Sequence, residues 1–501
     1  MHGSRGRADR VVILGLDAVS WDIVERLAAA MPRLSALRAN APSGILGSTQ
    51  PPLTPVAWTS MTTGMSPGHH GVYEFFHRGA TGWVPVSRQQ CRVAGLDEIL
   101  EHAGRQSILV NLPLSSPGRS RAIRLADFLT RADETVFPPE LRQETPALAA
   151  YRAFWDPAPF AARSVEEAAG EVREMEAQRF AAARHLLETK PWDYVFYGIT
   201  GTDHLQHRAL DLILGEGEPP AVVVEFYRQV DEIVGWFIDN TRPGDLLLVT
   251  SDHGSAVTGR EFFLNEWLVR QGYARWRAGA ATGAGGGGLR GAVRALAFRL
   301  QLDVRTAGLR RRLGQRRRLA GGPVAEIDDV ASDAFMPPPF AWPAVYAPRA
   351  DRAVLAEQLR ELVDPGTGRH LFAAVEAADR VYPPDRLPGG PDLVLTPAPG
   401  ISVHPGRSAE LVRAHRRNHH KAEGIVVAYD PGRRFDLPAD LGSPRVEDIA
   451  PTVLVALGLP GPASAMDGRS LVADPSVNAL RAVRAAARAA AGAAVGAGGG
   501  A

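Results

Sequence analysis

Residues 10–18 read RVVILGLDA: a basic residue, six consecutive apolar or glycine positions, then Asp17. A run that is apolar at every position, not at every second one, suits a strand buried on both faces of a mostly parallel sheet. Similar runs recur at 107–113 (SILVNLP), 193–203 (DYVFYGITGTD), 245–254 (DLLLVTSDHG) and 424–432 (GIVVAYDPG). Between them lie helical stretches such as 164–189 and 222–241. The alternation predicts an open α/β sheet with helices on both faces.

The 501 residues are 45% hydrophobic and 22% charged, enough for one large α/β domain with an inserted subdomain, or for two domains. A formal net charge of +1 gives no bulk attraction to nucleic acid or anionic membrane, so no stable nucleic-acid complex is expected. Cys91 is the single cysteine, which excludes a disulfide framework or a multi-cysteine zinc site and suits a reducing compartment. Metal ligands would have to be histidine and carboxylate. No run approaches the roughly 20 apolar residues of a membrane span, and the N-terminus passes into the first strand with no small-residue cleavage site, so a cytoplasmic location is expected. The chain divides into a flexible N-terminus (1–9), a first core part (10–277), a Gly/Ala-rich then Arg-rich flexible insertion (278–325), a second core part (326–477) with a small cap-like subdomain around 340–400, and a disordered tail (478–501). A basic patch for an acidic partner in 278–325 has little support, because aromatic residues are almost absent there.

In open α/β sheets, ligands bind beyond the carboxyl ends of the strands, and these strands end in chemistry. Asp17 closes the first run, Asp203 and His207 follow the third in GTDHLQH, Asp252 and His253 close the fourth in TSDHG, and His419 and His420 precede the run at 424. The spacing of four puts Asp203 and His207 on one helix face. The adjacent Asp252 and His253 need a sharp turn to converge, for which Gly254 is the expected means. Singly, each has a bland reading as a turn former, a cap or a satisfied histidine. Together they form a mixed oxygen and nitrogen set suited to zinc or manganese, or to iron.

These segments resemble the alkaline phosphatase superfamily, most closely its type I phosphodiesterase/nucleotide pyrophosphatase branch of bacterial phosphohydrolases. ILGLDA matches the first metal-binding strand. TPVAWTSMTTGMSPGHHG (54–71) matches the nucleophile segment and places the nucleophile at Thr54. Asp203 and His207 match the Asp-x-x-x-His pair, and SDHG supplies Asp252 and His253. A last histidine four residues before the Gly-Ile strand selects His420 over His419. FFLNEWLVRQGY (262–273), GGPDLVLTP (389–397) and the segment from VEDIAPTVLVALGLP to MDGRSL (446–471) extend the likeness. The resemblance implies a three-layer sandwich around a mostly parallel sheet and two divalent metal ions, zinc first with manganese or iron as alternatives. One ion would be held by Asp17, Asp252 and His253, the other by Asp203, His207 and His420, with the Thr54 oxygen on the first or between them. The substrate would be a small phosphate ester, hydrolysed through a phosphothreonine.

The hydroxyl-rich stretch after Pro51, Pro52 and Pro55 then makes sense. The prolines stop a helix starting early, so Thr54 sits at a helix N-terminus where backbone N–H groups and the dipole favour an anion. Thr59, Ser60, Thr62 and Thr63 are expected to cap, pack or bond to backbone, and His69 and His70 stay outside the ligand set. Two departures stand out. Ala57 replaces the Asn that such enzymes carry three residues after the nucleophile, and Asn418 replaces a Gly two residues before the last histidine. The diester-against-monoester preference therefore stays open, with a monoesterase or a phosphotransferase/mutase of the same superfamily as alternatives. A sulfatase is disfavoured because TPVAW lacks the Arg of that branch's C/S-x-P-x-R nucleophile motif. A non-catalytic scaffold would be expected to have lost ligands. Phe75, Phe76 and Trp83 fit either aromatic pocket walls or core.

Overall fold

A computed structural model describes residues 6–79, 82–130, 134–153, 163–277, 327–338, 340–382 and 388–473. The main sheet and its continuation are built from β1 (Arg10–Leu16), β2 (Ser43–Gly47), β3 (Ser107–Val110), β4 (Ile123–Leu125), β5 (Val136–Phe137), β6 (Tyr194–Ile199), β7 (Asp245–Thr250), β8 (Gly254–Phe263), β9 (Val412–Lys421) and β10 (Glu423–Tyr429). The principal helices are α1 (Thr54–Thr63), α2 (Val165–Thr189), α3 (Gly201–Ile213), α4 (Ala221–Asn240) and α5 (Ile449–Ala456).

Eight strands form one sheet in the order β2-β10-β7-β1-β6-β3-β4-β5. β1 lies parallel to β6 and β7, and β3 parallel to β6 and β4. The run at 424 departs from this: β10 lies antiparallel to both β7 and β2, although it is apolar at successive positions like the others. Two-sided burial, not strand direction, is what such a run reports. Along β1, Val12, Leu14 and Leu16 pack with α2, α3 and α4, whereas Val11 and Ile13 pack with Trp58, Met61 and α5 on the opposite face. The strand must be apolar throughout because helices cover both faces, and each fully buried Leu, Ile or Val contributes roughly 1.5–3 kcal/mol. The result is a three-layer α/β sandwich.

α2 starts at a capping box: Ser164 Oγ accepts from the Glu167 amide at 3.1 Å, and the Glu167 carboxylate accepts from the Ser164 amide at 2.9 Å. A second, three-stranded sheet pairs β8 antiparallel with β9 and parallel with residues Ile401–His404. Its register sets Ser255 opposite His420, which carries His420 to the edge of the main sheet where β7 ends. A small antiparallel sheet of Ala344–Val345, Leu393–Pro397 and Phe372–Ala377 shares a core with Phe262 and Trp267. Phe76 belongs to that core, Phe75 packs against it, and Trp83 meets Phe340 and Tyr346 edge-on at 5.1 and 5.3 Å, so these three aromatics take part in packing.

The segments 278–325 and 478–501 lie outside the described residues. Within 1–9, expected to be flexible, residues 6–9 are instead tied down: the amides of Gly6, Ala8 and Asp9 donate to the carbonyls of Arg434, Ala456 and Gly244. Among the described residues no helix is long and apolar enough to cross a membrane.

Candidate metal centre

The carboxyl ends of β1, β6 and β7 and the end of β9 converge on one point. Asp17 follows β1, Asp203 and His207 face it from the first turns of α3, and Asp252 and His253 are the last two of the three residues between β7 and β8. His420 arrives from β9. Two trios result, Asp17 with Asp252 and His253, and Asp203 with His207 and His420, and the ligand atoms within each lie within 4.8 Å of one another. The His253 and His420 rings stack at 3.9 Å between centroids, so the trios adjoin. Thr54 is the first residue of α1, buried, with its Oγ1 3.3 Å from His253 Nε2.

Bringing three carboxylates into a dry site costs energy unless something neutralises them. Among the described residues their ion pairs are to histidine alone: His253 Nε2 is 3.2 Å from Asp252 and 3.7 Å from Asp17, and Asp203 Oδ1 is 3.3 Å from His207 Nε2 and 3.4 Å from His420 Nε2. Burial, with the neighbouring carboxylate charges, pushes the Asp17 carboxyl well above its usual value, and burial does the same at Asp252. Burial would raise Asp203 as well, but the His207 and His420 imidazoles beside it hold it well below the usual value. One oxygen of each aspartate, Asp17 Oδ1, Asp203 Oδ1 and Asp252 Oδ2, is buried without a hydrogen-bond partner. The histidine orientation points the same way. His420 Nδ1 sits 2.9 Å from the Pro52 carbonyl and His253 Nδ1 3.2 Å from that of Gly254, so carbonyls take the Nδ1 protons and the Nε2 lone pairs face the carboxylates. The residues present fit a pair of divalent cations.

His70 shows the opposite arrangement. Its Nδ1 accepts from the Val72 amide at 3.1 Å, its Nε2 meets Ser60 Oγ at 2.9 Å, and burial lowers it to about 3, so it is a neutral packing residue. His69 pairs with Asp467 at 2.7 Å, and His419 lies against Trp342, its ring 5.9 Å from that of His420 but outside both trios. Thr59, Thr62 and Thr63 each donate to the carbonyl four residues back, at Pro55, Trp58 and Thr59.

Several supports escape a reading of sequence. Trp58 Nε1 lies 3.4 Å from Asp17 Oδ2, and its ring fills the space a Cβ at Gly15 would need, 2.5 Å from Cη2. Ala18 adopts a left-handed φ of 62°, a strained state for a non-glycine residue, and its amide donates to Asp252 Oδ1 at 3.2 Å. Thr202 Oγ1 lies 2.6 Å from the Asp17 carbonyl. Asn418, the residue in place of glycine, donates to the Gln206 and His207 carbonyls at 3.0 and 3.3 Å and ties β9 to α3. The anion-binding N-terminus of α1 is narrower than expected. The amides of Val56 and Ala57 bond to the Leu53 carbonyl and Pro55 has none, which leaves only the Thr54 amide in that turn.

Gly254 also works differently from expectation. It opens strand β8 and has no positive φ; the absence of a side chain matters because a Cβ would stand 2.3 Å from the Glu423 carbonyl. Gly254→Ala is expected to lose roughly 1–3 kcal/mol of stability from overpacking against backbone, checked by urea unfolding. An unchanged midpoint would show that β8 and β10 can separate.

Further along the same sheet edge, burial raises the Asp127 carboxyl from 3.8 to about 6, against the amide of Leu129, the Thr130 hydroxyl and the charge of Arg179. A folded-state value above the unfolded one contributes stability that is complete below pH 3.8 and lost as pH rises through about 6. Relative to Asp127→Asn, the wild type is expected to lose on the order of 3 kcal/mol across that window. Urea midpoints measured at several pH values test this, and parallel curves for the two proteins would contradict it.

The fold, together with a family pattern that matches residues 11–425, makes this chain a phosphoesterase of the alkaline phosphatase superfamily. Within it the chain belongs to the type I phosphodiesterase / nucleotide pyrophosphatase family, whose pattern this is. Among the solved structures that share the fold are the following two. Phosphonoacetate hydrolase from Sinorhizobium meliloti 1021, in complex with phosphonoformate, is 16% identical with a TM-score of 0.55, over 91% of this chain and 96% of that one. The wild-type alkaline phosphatase PafA is 13% identical with a TM-score of 0.50, over 91% and 97%. No curated protein matches the sequence.

Proposed function

We propose that this chain hydrolyses small phosphate esters, diesters or pyrophosphates first, with Thr54 as nucleophile and two divalent ions as cofactors. The observation that carries the proposal is the pair of ligand trios beside a buried threonine, each trio holding carboxylate oxygen that nothing else satisfies. Divalent ions held by Asp17, Asp252 and His253 and by Asp203, His207 and His420 would supply Lewis acidity and balance negative charge at phosphorus. α1 carries Thr54 in its first turn, with Oγ1 3.3 Å from His253 Nε2 at the edge of the first trio. In the first step the Thr54 Oγ1–phosphorus bond forms, the bond to the leaving oxygen breaks, and that oxygen departs carrying the hydroxyl proton. Water then cleaves the phosphothreonine, which restores the hydroxyl and releases the phosphate product.

The test is hydrolysis of bis-p-nitrophenyl phosphate against p-nitrophenyl phosphate by protein reconstituted with Zn²⁺ or Mn²⁺. Faster turnover of the diester supports the diesterase reading, and faster turnover of the monoester moves the protein to the monoesterase alternative. No turnover of either, with both ions bound, counts against hydrolysis.

A further inference from the structure

α2 buries a complete ion pair in the main core. Glu176 and Arg179 are 0% and 1% exposed, with Arg179 Nη1 donating to Glu176 Oε1 at 2.6 Å. Such a pair is a poor way to stabilise a core, since two charges leave water for one contact, and apolar residues of similar volume are often as stable or more so. This pair is also incompletely satisfied: Glu176 Oε2 and Arg179 Nε have no hydrogen-bond partner. What Glu176 does hold is the Gly201 amide, at 2.9 Å from Oε1.

Gly201 is the first residue of α3, the helix that presents Asp203 two residues later and His207 one turn beyond that. Helix N-terminal amides need acceptors, and a carboxylate there also meets the positive end of the helix dipole. The approach is close: a Cβ on Gly201 would stand 2.5 Å from Val172 Cγ1 and 3.0 Å from Glu176 Oε1. Arg179 Nη1 donates to the same Oε1 that holds the Gly201 amide, and it also lies 3.5 Å from Thr200 Oγ1, which accepts from Asn111 Nδ2 at 3.1 Å. The strand-to-helix turn is thus held at two successive residues, Thr200 and Gly201.

We infer that Glu176, oriented by Arg179, is a positioning residue for the Asp203–His207–His420 trio, setting the start of α3 so that both of its ligands reach one cation. The inference rests on the two-metal reading above. Partners behind metal ligands typically change metal affinity by 10–100-fold when removed.

The experiment is calorimetric titration of the metal-stripped full chain with Zn²⁺, alongside thermal unfolding of the same metal-free proteins. Charges are removed in pairs so that neither residue is left buried alone. Glu176→Leu/Arg179→Met deletes the acceptor for the Gly201 amide, and Glu176→Gln/Arg179→Met keeps a neutral one. Expected are two sites in the wild type, with the site that His207→Ala removes weakened about 10–100-fold in the Leu/Met variant and restored to within a few-fold in the Gln/Met variant. Equal affinities in all three proteins overturn the inference, as does equal weakening in both double variants. A fall of more than about 10 °C in the metal-free melting temperature of both double variants also overturns it, since the pair would then be holding the fold. Failure of the wild type to bind two ions overturns the two-metal reading instead, and this inference with it.

Discussion

Thr54→Ala is expected to lower kcat on any phosphate ester the protein turns over by roughly 10³-fold or more, the scale seen when a covalent nucleophile is deleted. The fold should survive. Thr54 is the first residue of α1, where alanine is tolerated, and its Oγ1 makes one long contact, 3.3 Å to His253 Nε2. Both trios are left intact, so metal content should equal that of the wild type. Thr54→Ser keeps an oxygen at the same place and is expected to recover most of the lost rate. Steady-state kinetics with metal analysis separates the outcomes: lost rate with full metal content assigns the chemistry to the hydroxyl, whereas retained rate in Thr54→Ala would move the nucleophile elsewhere.

Metal removal is expected to have the second largest effect, and its sign should depend on charge. Stripping the ions should abolish turnover and lower thermal stability. Two sites, each held at 100 times its Kd, contribute about 5 kcal/mol in all. The stripped protein keeps three crowded carboxylates with histidine as their only ion-pair partner among the described residues. Asp252→Asn should therefore act in opposite directions. In the stripped protein it removes one buried charge, retains an oxygen to accept from the Ala18 amide, and is expected to gain roughly 1–3 kcal/mol. In metal-containing buffer it loses a ligand and should melt below the wild type. Calorimetric melts of both proteins with and without Zn²⁺ test this; the same sign in both buffers would mean that no cation occupies the Asp17–Asp252–His253 trio.

Much of this site was legible in sequence because the fold converts local pattern into position. Doubly covered strands must be apolar throughout, so their ends are easy to find, and Asp17, Asp203 and Asp252 stand at those ends for a topological reason. The spacing between Asp203 and His207 is a helix repeat and needs no tertiary information. The direction of β10 was not legible, since burial on both faces reads the same in either orientation. The supporting contacts were hidden because they join distant parts of the chain: Trp58 to Asp17, Ala18 to Asp252, Asn418 to the carbonyls of Gln206 and His207, and Gly254 to the backbone of Glu423. In sequence, Ala57–Trp58 and Asn418 show only as departures from a familiar pattern. In space, Trp58 and Asn418 tie ligand-bearing segments together. The Glu176–Arg179 pair looks like any helical i,i+3 pair until its burial is known.

The most direct test of the central claim is anomalous diffraction at the zinc edge from crystals of the full chain grown with Zn²⁺. The expected map has two strong peaks a few ångströms apart, one among Asp17, Asp252 and His253 and the other among Asp203, His207 and His420, with Thr54 Oγ1 facing the first. Peaks only at surface histidines, or no peak between the trios at saturating zinc, would contradict it.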